Sequence, residues 1–303
     1  IIEFPRYRKS AQAFSGTMPY SEALGFVKNL EDKNENNVVD WVVAHEMAHQ
    51  WWAHQVTGAN MQGAEMLSES FAEYSSLMTM KSIADNPMQM RQFLKYNHDG
   101  YLKGRSSHRD KELPLYKTEN QGYIHYGKGS IVLFALQDYI GEGKVNIAMR
   151  SFLEEYRYSN NPYPSTLDFL RHLEPQVPDS LKYLINDWFK EITLYDNRLK
   201  AAKYKQLPNG KYEVTLEIKS SKIKVDSLGN ETQVAINDWI DVGFFLDDDE
   251  TRLYHQERLK FDQETSSLTM QLDSLPVKAA IDPRQLLIDR AYSDNINRLI
   301  ALE

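Results

Sequence analysis

The 303-residue sequence contains no cysteine. Disulfides and thiolate metal sites are thereby excluded, so any metal must be held by imidazole and carboxylate groups. Long apolar runs are also lacking. A membrane helix needs about 20 consecutive apolar residues, and the most apolar stretch, Ile131 to Leu136, is far shorter. There is no excess of basic charge: 35 Lys and Arg stand against 43 Asp and Glu, a formal net charge of −8. Nucleic-acid binding, which relies on clustered cations to neutralise phosphate, is not expected. No signal peptide is visible in the opening Ile1-Ile2-Glu3-Phe4-Pro5, which lacks an initiator Met and reads as the start of an excised fragment.

The remaining composition, 42 % apolar and 26 % charged, is that of an ordinary globular protein with material for two domains. Two textures divide it. From about Val38 to Ile192 apolar residues recur at three and four, the helical period, as in Ile131, Phe134 and Leu136 or Leu181, Leu184 and Trp188. After about Asn197 they alternate. Asn209-Gly210 is a hairpin turn preceding a strand over 212–218, and further strands are expected over 238–246 and 268–272. Short strands at this spacing point to a β-sandwich-like region. The expected fold is α+β, with a mainly helical domain over residues 1–197 and the β-sandwich-like domain over 198–303.

His45-Glu46-Met47-Ala48-His49 is an H-E-x-x-H motif. At average residue frequencies such a match arises by chance in roughly one chain in a hundred of this length, so its surroundings must carry the argument. Residues 40–52 read as a helix on which positions 45 and 49 lie one turn apart and aim both imidazoles at one spot. Glu46 sits about 100° round that helix, off the ligand line. Two buried histidines so placed each need a partner, and one shared metal satisfies both. A second helix over 65–74 carries Glu65, Glu69 and Glu73 at successive turns. On spacing alone these are equally well a solvated acidic face or the source of a third ligand.

The stretch His45-Glu46-x-x-His49-Gln50-Trp51, followed by Ser68-Glu69-Ser70-Phe71-Ala72-x-Tyr74, resembles the gluzincin aminopeptidases, the family of aminopeptidase N. Their pattern is H-E-x-x-H-Q-W and then N-E-G-F-A-x-Y. The resemblance implies a thermolysin-like zinc peptidase domain, here N-terminally truncated, holding one zinc ion through His45, His49 and Glu69. It implies Glu46 as general base. Residues 50–68 intervene, one more than usual, so a one-residue insertion is expected in the loop before Leu67. Glu73 is either a hydrogen-bond partner of a ligand imidazole or a plain surface acid. Tyr126-Gly127-Lys128-Gly129 is similar to the family's Y-x-K-G element, which implies that Tyr126 stabilises an oxyanion; Tyr123 and His125 are weaker candidates.

One segment departs from the pattern. Family members carry G-x-M-E-N, whose Glu holds the substrate's free α-amino group, where this sequence has Gly16-Thr17-Met18-Pro19-Tyr20-Ser21-Glu22. Glu22 is the nearest acid that could replace it; a surface role is the alternative. The tail, Ile281-Asp282-Pro283 through Asp294-Asn295, resembles a bacterial branch in which a peptidase segment is fused to an ABC-type membrane permease. That implies an extracytoplasmic location at the bacterial membrane as part of a longer protein, with this fragment itself soluble. The expected activity is zinc-dependent peptide hydrolysis, as an aminopeptidase on peptide substrates. The competing readings are a non-catalytic zinc-containing extracytoplasmic interaction domain of a transporter and a non-peptidic hydrolase built on the same site.

Overall fold

The computed structural model describes residues 1–27 and 37–302. They form two compact units, the first of residues 1–84 and 92–192, the second of 85–91 and 193 onward. The sequence-based division after residue 197 thus falls inside the strand Ile192–Gln206. Thr193, Leu194 and Tyr195 are all buried, so the strand opens without the alternation that marks its later half.

The first unit contains α1 (Val38–Ala48), α2 (Phe71–Ile83), α3 (Met90–Ser107, bar its first two residues), α4 (Gly129–Ile140), α5 (Glu142–Tyr156) and α6 (Thr166–Leu173). The start of α1 is set by Asn37, whose side-chain oxygen accepts from the Asp40 amide at 3.1 Å. Almost every residue of α4 is buried, as its apolar composition demands, and Gly141 at φ 97° ends it in a conformation few other residues adopt. Around it lies an aromatic cluster in which Phe71 meets Trp52 at 5.0 Å and Phe169 at 4.6 Å, both edge to face. Two short parallel strands, β1 (Ile2–Phe4) and β2 (Pro19–Ser21), pair Ile2 with Pro19.

Two of the expected helices are altered. The helix foreseen over 40–52 ends at Ala48. Beyond it, Gln50 and Trp51 bond back to Met47 and Ala48, three residues away, and Ala53 turns the chain at φ 122°. The helix foreseen over 65–74 is not uniform: Ala64 and Glu65 are α-helical, Met66–Ser70 is a π turn, and the α-helix resumes at Phe71. An i→i+5 turn holds one residue more than an α turn, so the extra residue between the two motifs need not be taken up in the loop before Leu67.

In the second unit β3 (Ile192–Gln206), β4 (Tyr212–Val225), β5 (Glu231–Val234), β6 (Asp238–Phe245), β7 (Leu253–Phe261), β8 (Thr265–Leu272), β9 (Lys278–Ile281), β10 (Ile296–Arg298) and β11 (Ile300–Ala301) form two sheets. One has the order β10-β9-β6-β7; the other runs β11-β3-β4-β5, with β8 also on β4. Asn209-Gly210 does turn β3 into β4, with Gly210 at φ 84°. Strand β7 was not foreseen, because His255, Glu257, Arg258 and Lys260 obscure its alternation. One of these charges is structural. Arg258 lies directly opposite Asp241 on β6 and binds its carboxylate through two nitrogens at 2.7 and 2.9 Å. Among the described residues no helix is long and apolar enough to cross a membrane.

Asp282 gives this unit a pH dependence. It is buried, and burial pushes its carboxyl up to about 7 although the amides of Leu286 and Leu287 donate to it. A carboxyl whose folded value exceeds its unfolded value near 4 stabilises the fold less as pH rises between the two. Denaturant titration of wild type and Asp282→Asn should therefore show the wild type losing stability relative to the variant, by on the order of 4 kcal/mol at most, from pH 4 to pH 7. A constant difference would contradict this.

Candidate metal centre

His45 lies in the last turn of α1 and His49 caps it. The helical spacing brings their Nε2 atoms to 3.1 Å from one another. Glu69, from the π turn, places Oε2 at 3.3 Å from both. Three donor atoms thus form a nearly equilateral triangle. Ligands about 2.0–2.1 Å from a tetrahedral zinc stand roughly 3.3 Å apart, so the triangle has the dimensions that ion requires. Oε2 of Glu69 is buried and receives no hydrogen bond of acceptable geometry, although both nitrogens are near. Among the described residues these three are the one group whose donor atoms could hold a metal ion.

The far side of each imidazole is fixed. Nδ1 of His45 lies 2.8 Å from Oε2 of Glu73, and Nδ1 of His49 lies 2.9 Å from the carbonyl oxygen of Trp52. A ring that donates from Nδ1 keeps its Nε2 lone pair for the centre. The early end of α1 matters here, because the turn after Ala48 directs the Trp52 carbonyl back to His49. That contact was not foreseen; a helix continued to Trp52 concealed it. Glu65 goes elsewhere, accepting from the Asn120 amide at 3.1 Å. Of the three acids that spacing stacks on one face, Glu69 and Glu73 thus meet opposite nitrogens of His45, and only Glu65 has its partner elsewhere.

The charges respond accordingly. Burial opposes protonation of His45, but Glu69 and Glu73 outweigh it and raise the ring to about 9. Burial would raise the Glu69 carboxyl, yet the two imidazoles hold it well below its ordinary value. Such a proton marks a place where positive charge is favoured. Glu46 is buried beside the triangle; burial raises its carboxyl, while the imidazoles act the other way.

Tyr126 stands on a second π turn, Tyr123–Lys128, with its ring 5.8 Å from His45; burial first, and then the nearby Glu69 carboxylate, push its phenol up. π turns recur at functional sites, and here two of them meet. The hydroxyl of Ser70 donates to the His125 carbonyl at 2.7 Å, and a Cβ on Gly129 would lie 2.1 Å from that same hydroxyl oxygen. The second glycine of Tyr126-Gly127-Lys128-Gly129 thus permits the approach. Asn97, buried, ties the parts together: its amide lies 3.5 Å from Glu73 and 2.9 Å from Ser130, whose hydroxyl donates to the Tyr126 carbonyl. His125 packs edge to face on Tyr126 at 4.5 Å, and burial lowers its pKa. Tyr123 packs instead against Tyr101 and His108. Glu22 faces Arg6 at 3.9 Å with a third of its side chain exposed, away from the triangle's hydrogen-bond network.

Residues 1–188 match the profile of the peptidase family M1 domain. Aminopeptidase M1-B of Oryza sativa subsp. japonica is 27 % identical over 197 residues, 63 % of this chain and 22 % of that protein. Endoplasmic reticulum aminopeptidase 2 of Homo sapiens is 26 % identical over 166 residues, covering 53 % and 17 % respectively. The chain spans about a fifth of the length of these curated relatives. In fold it is similar to the crystal structure of Legionella pneumophila aminopeptidase A in complex with aspartic acid, at a TM-score of 0.55 and 17 % identity, over 93 % of this chain and 30 % of that one.

Two outcomes test the assembly of the site. After dialysis and back-titration, Glu69→Ala should retain little zinc by elemental analysis, whereas Glu65→Ala should retain one equivalent; the reverse would misassign the second helix. Gly129→Ala should lower the thermal midpoint, since overpacking of this kind costs about 1–3 kcal/mol. An unchanged midpoint would mean that the two π turns can separate freely.

Proposed function

The chain belongs to peptidase family M1, and on that premise we propose that it hydrolyses peptides from their amino terminus, using one zinc ion held by His45, His49 and Glu69. The observation that supports this best is the donor triangle with edges of 3.1 to 3.3 Å, backed by Glu73 and the Trp52 carbonyl. Two imidazoles and a carboxylate are the ligand types and the number that a catalytic zinc takes. When bound, the ion supplies a Lewis acid that polarises a carbonyl and makes water a nucleophile near neutral pH.

The protein groups supply the rest. Glu46, buried and off the ligand line, accepts a proton from the attacking water and passes it to the leaving amine. Its raised affinity for protons suits both halves of that task. Tyr126 donates its phenolic proton towards the oxygen on which negative charge develops; a neutral donor with a high pKa does this without adding a charge of its own. An interaction domain that kept zinc for structure alone would have use for neither group. The pairing of Glu22 with Arg6 favours a surface role for that acid. The resemblance of the tail supports placing this segment on the extracytoplasmic side of a permease in a longer parent protein.

Glu46→Gln tests the reading. The amide matches the carboxylate in shape but cannot take a proton, so zinc content should stay at one equivalent while turnover of an amino-terminal peptide anilide falls by about 10³-fold or more. Equal loss of metal and turnover would make Glu46 a ligand. Equal cleavage of free and N-acetylated substrates by wild type would replace the aminopeptidase reading with endopeptidase action.

A further inference from the structure

Ser70 ends the first π turn, next to Glu69, and is completely buried. Its hydroxyl donates to the His125 carbonyl at 2.7 Å, although 55 residues separate the two in the chain. That carbonyl belongs to the peptide bond joining His125 to Tyr126. One hydrogen bond therefore ties the neighbour of Glu69 to the backbone of Tyr126. The pattern N-E-G-F-A-x-Y has glycine where this chain has Ser70, so the tie is a feature of this chain.

The form of the second π turn fits this bond. In an α-helix the His125 carbonyl would receive the amide of Gly129, four residues on. Here that amide goes to the Ile124 carbonyl, five residues back. The Ser70 hydroxyl thus takes a place at His125 that an α-helix gives to the backbone. On the other side of Tyr126, the Ser130 hydroxyl donates to its carbonyl at 2.7 Å, so hydroxyls hold both peptide groups that flank the tyrosine. The fit at Ser70 has no slack. A Cβ on Gly129 would lie 2.1 Å from the hydroxyl oxygen and 2.6 Å from the serine Cβ.

We propose that Ser70 is a positioning residue: its bond to the His125 carbonyl keeps the second π turn out of α register and so holds Tyr126, whose ring lies 5.8 Å from that of His45, against the turn that carries Glu69. One residue of register rotates a helical side chain by about 100°, so the register decides where the phenol points. Without the hydroxyl, the Gly129 amide is the nearest backbone donor by which the buried His125 carbonyl regains a partner, and taking it converts the turn to α. The consequence for catalysis rests on the peptidase reading given above; the tie itself does not.

Crystal structures of the metal-free wild type and Ser70→Ala test the tie without any activity. In the variant the Gly129 amide should move from the Ile124 carbonyl to that of His125, and the Tyr126 ring should move away from His45. A variant in which the Gly129–Ile124 bond and the Tyr126 ring are unmoved would overturn the proposal. With zinc restored to one equivalent, and well below the melting midpoint, Ser70→Ala should lower kcat by about tenfold with KM nearly unchanged, the scale of one buried hydrogen bond. Gly129→Ala, which keeps the hydroxyl but drives it from its place, should lower kcat in the same way. Full kcat in either variant, or a change in KM alone, would overturn the positioning role even if the structures differ as expected. A wild type that cleaves no peptide would refute the functional reading, and the pair of structures would then decide the tie by itself.

Discussion

Three donor atoms with lone pairs are held within 3.1 to 3.3 Å of one another, with too few protons between them to make each contact a hydrogen bond. That arrangement is unfavourable unless positive charge sits among them. Without an ion, a proton on His45 supplies part of it, which is why its affinity for protons is raised against the effect of burial. A divalent cation satisfies all three at once. Much of the first unit serves to keep this triangle small: the Asn37 cap that sets the start of α1, the turn that brings the Trp52 carbonyl to His49, and the two π turns packed through Gly129.

The same short helix divides its work by face. His45 and the capping His49 carry the imidazoles of the triangle, and Gln50, just past the helix, meets the 14–17 turn. The motif therefore shapes more than the triangle. The residue after its second His bonds the Gly16 amide and the Phe14 carbonyl of the 14–17 turn. Buried polar connections continue from Glu73 through Asn97 and Ser130 to the backbone of Tyr126, joining the ligand shell to the second π turn. Such a network, where fully satisfied, rigidifies the parts it joins.

The legible parts of the sequence were those with a period or a motif. H-E-x-x-H brought the His45 and His49 rings to one spot, although the helix expected over 40–52 ends at Ala48 and His49 only caps it, and Asn209-Gly210 marked a real turn. Glu69 needed the resemblance, because period alone could not separate it from Glu65 and Glu73; the π turn at Met66–Ser70 breaks the very spacing that argument used. The Trp52 carbonyl was out of reach, since backbone groups carry no sequence signature. Strand β7 was hidden by charges that turn out to pair across the sheet, as Arg258 does with Asp241. The opening of β3 was hidden by being buried on both faces.

The central claim is that one zinc ion sits where those three atoms converge. X-ray diffraction recorded above and below the zinc absorption edge, on crystals of the zinc-loaded chain, tests it directly. The predicted result is a single anomalous peak about 2.0–2.1 Å from Nε2 of His45, Nε2 of His49 and a carboxylate oxygen of Glu69. A chain saturated with zinc that shows no peak there, or a peak bound by Glu46 or Glu65 in place of Glu69, would contradict the account.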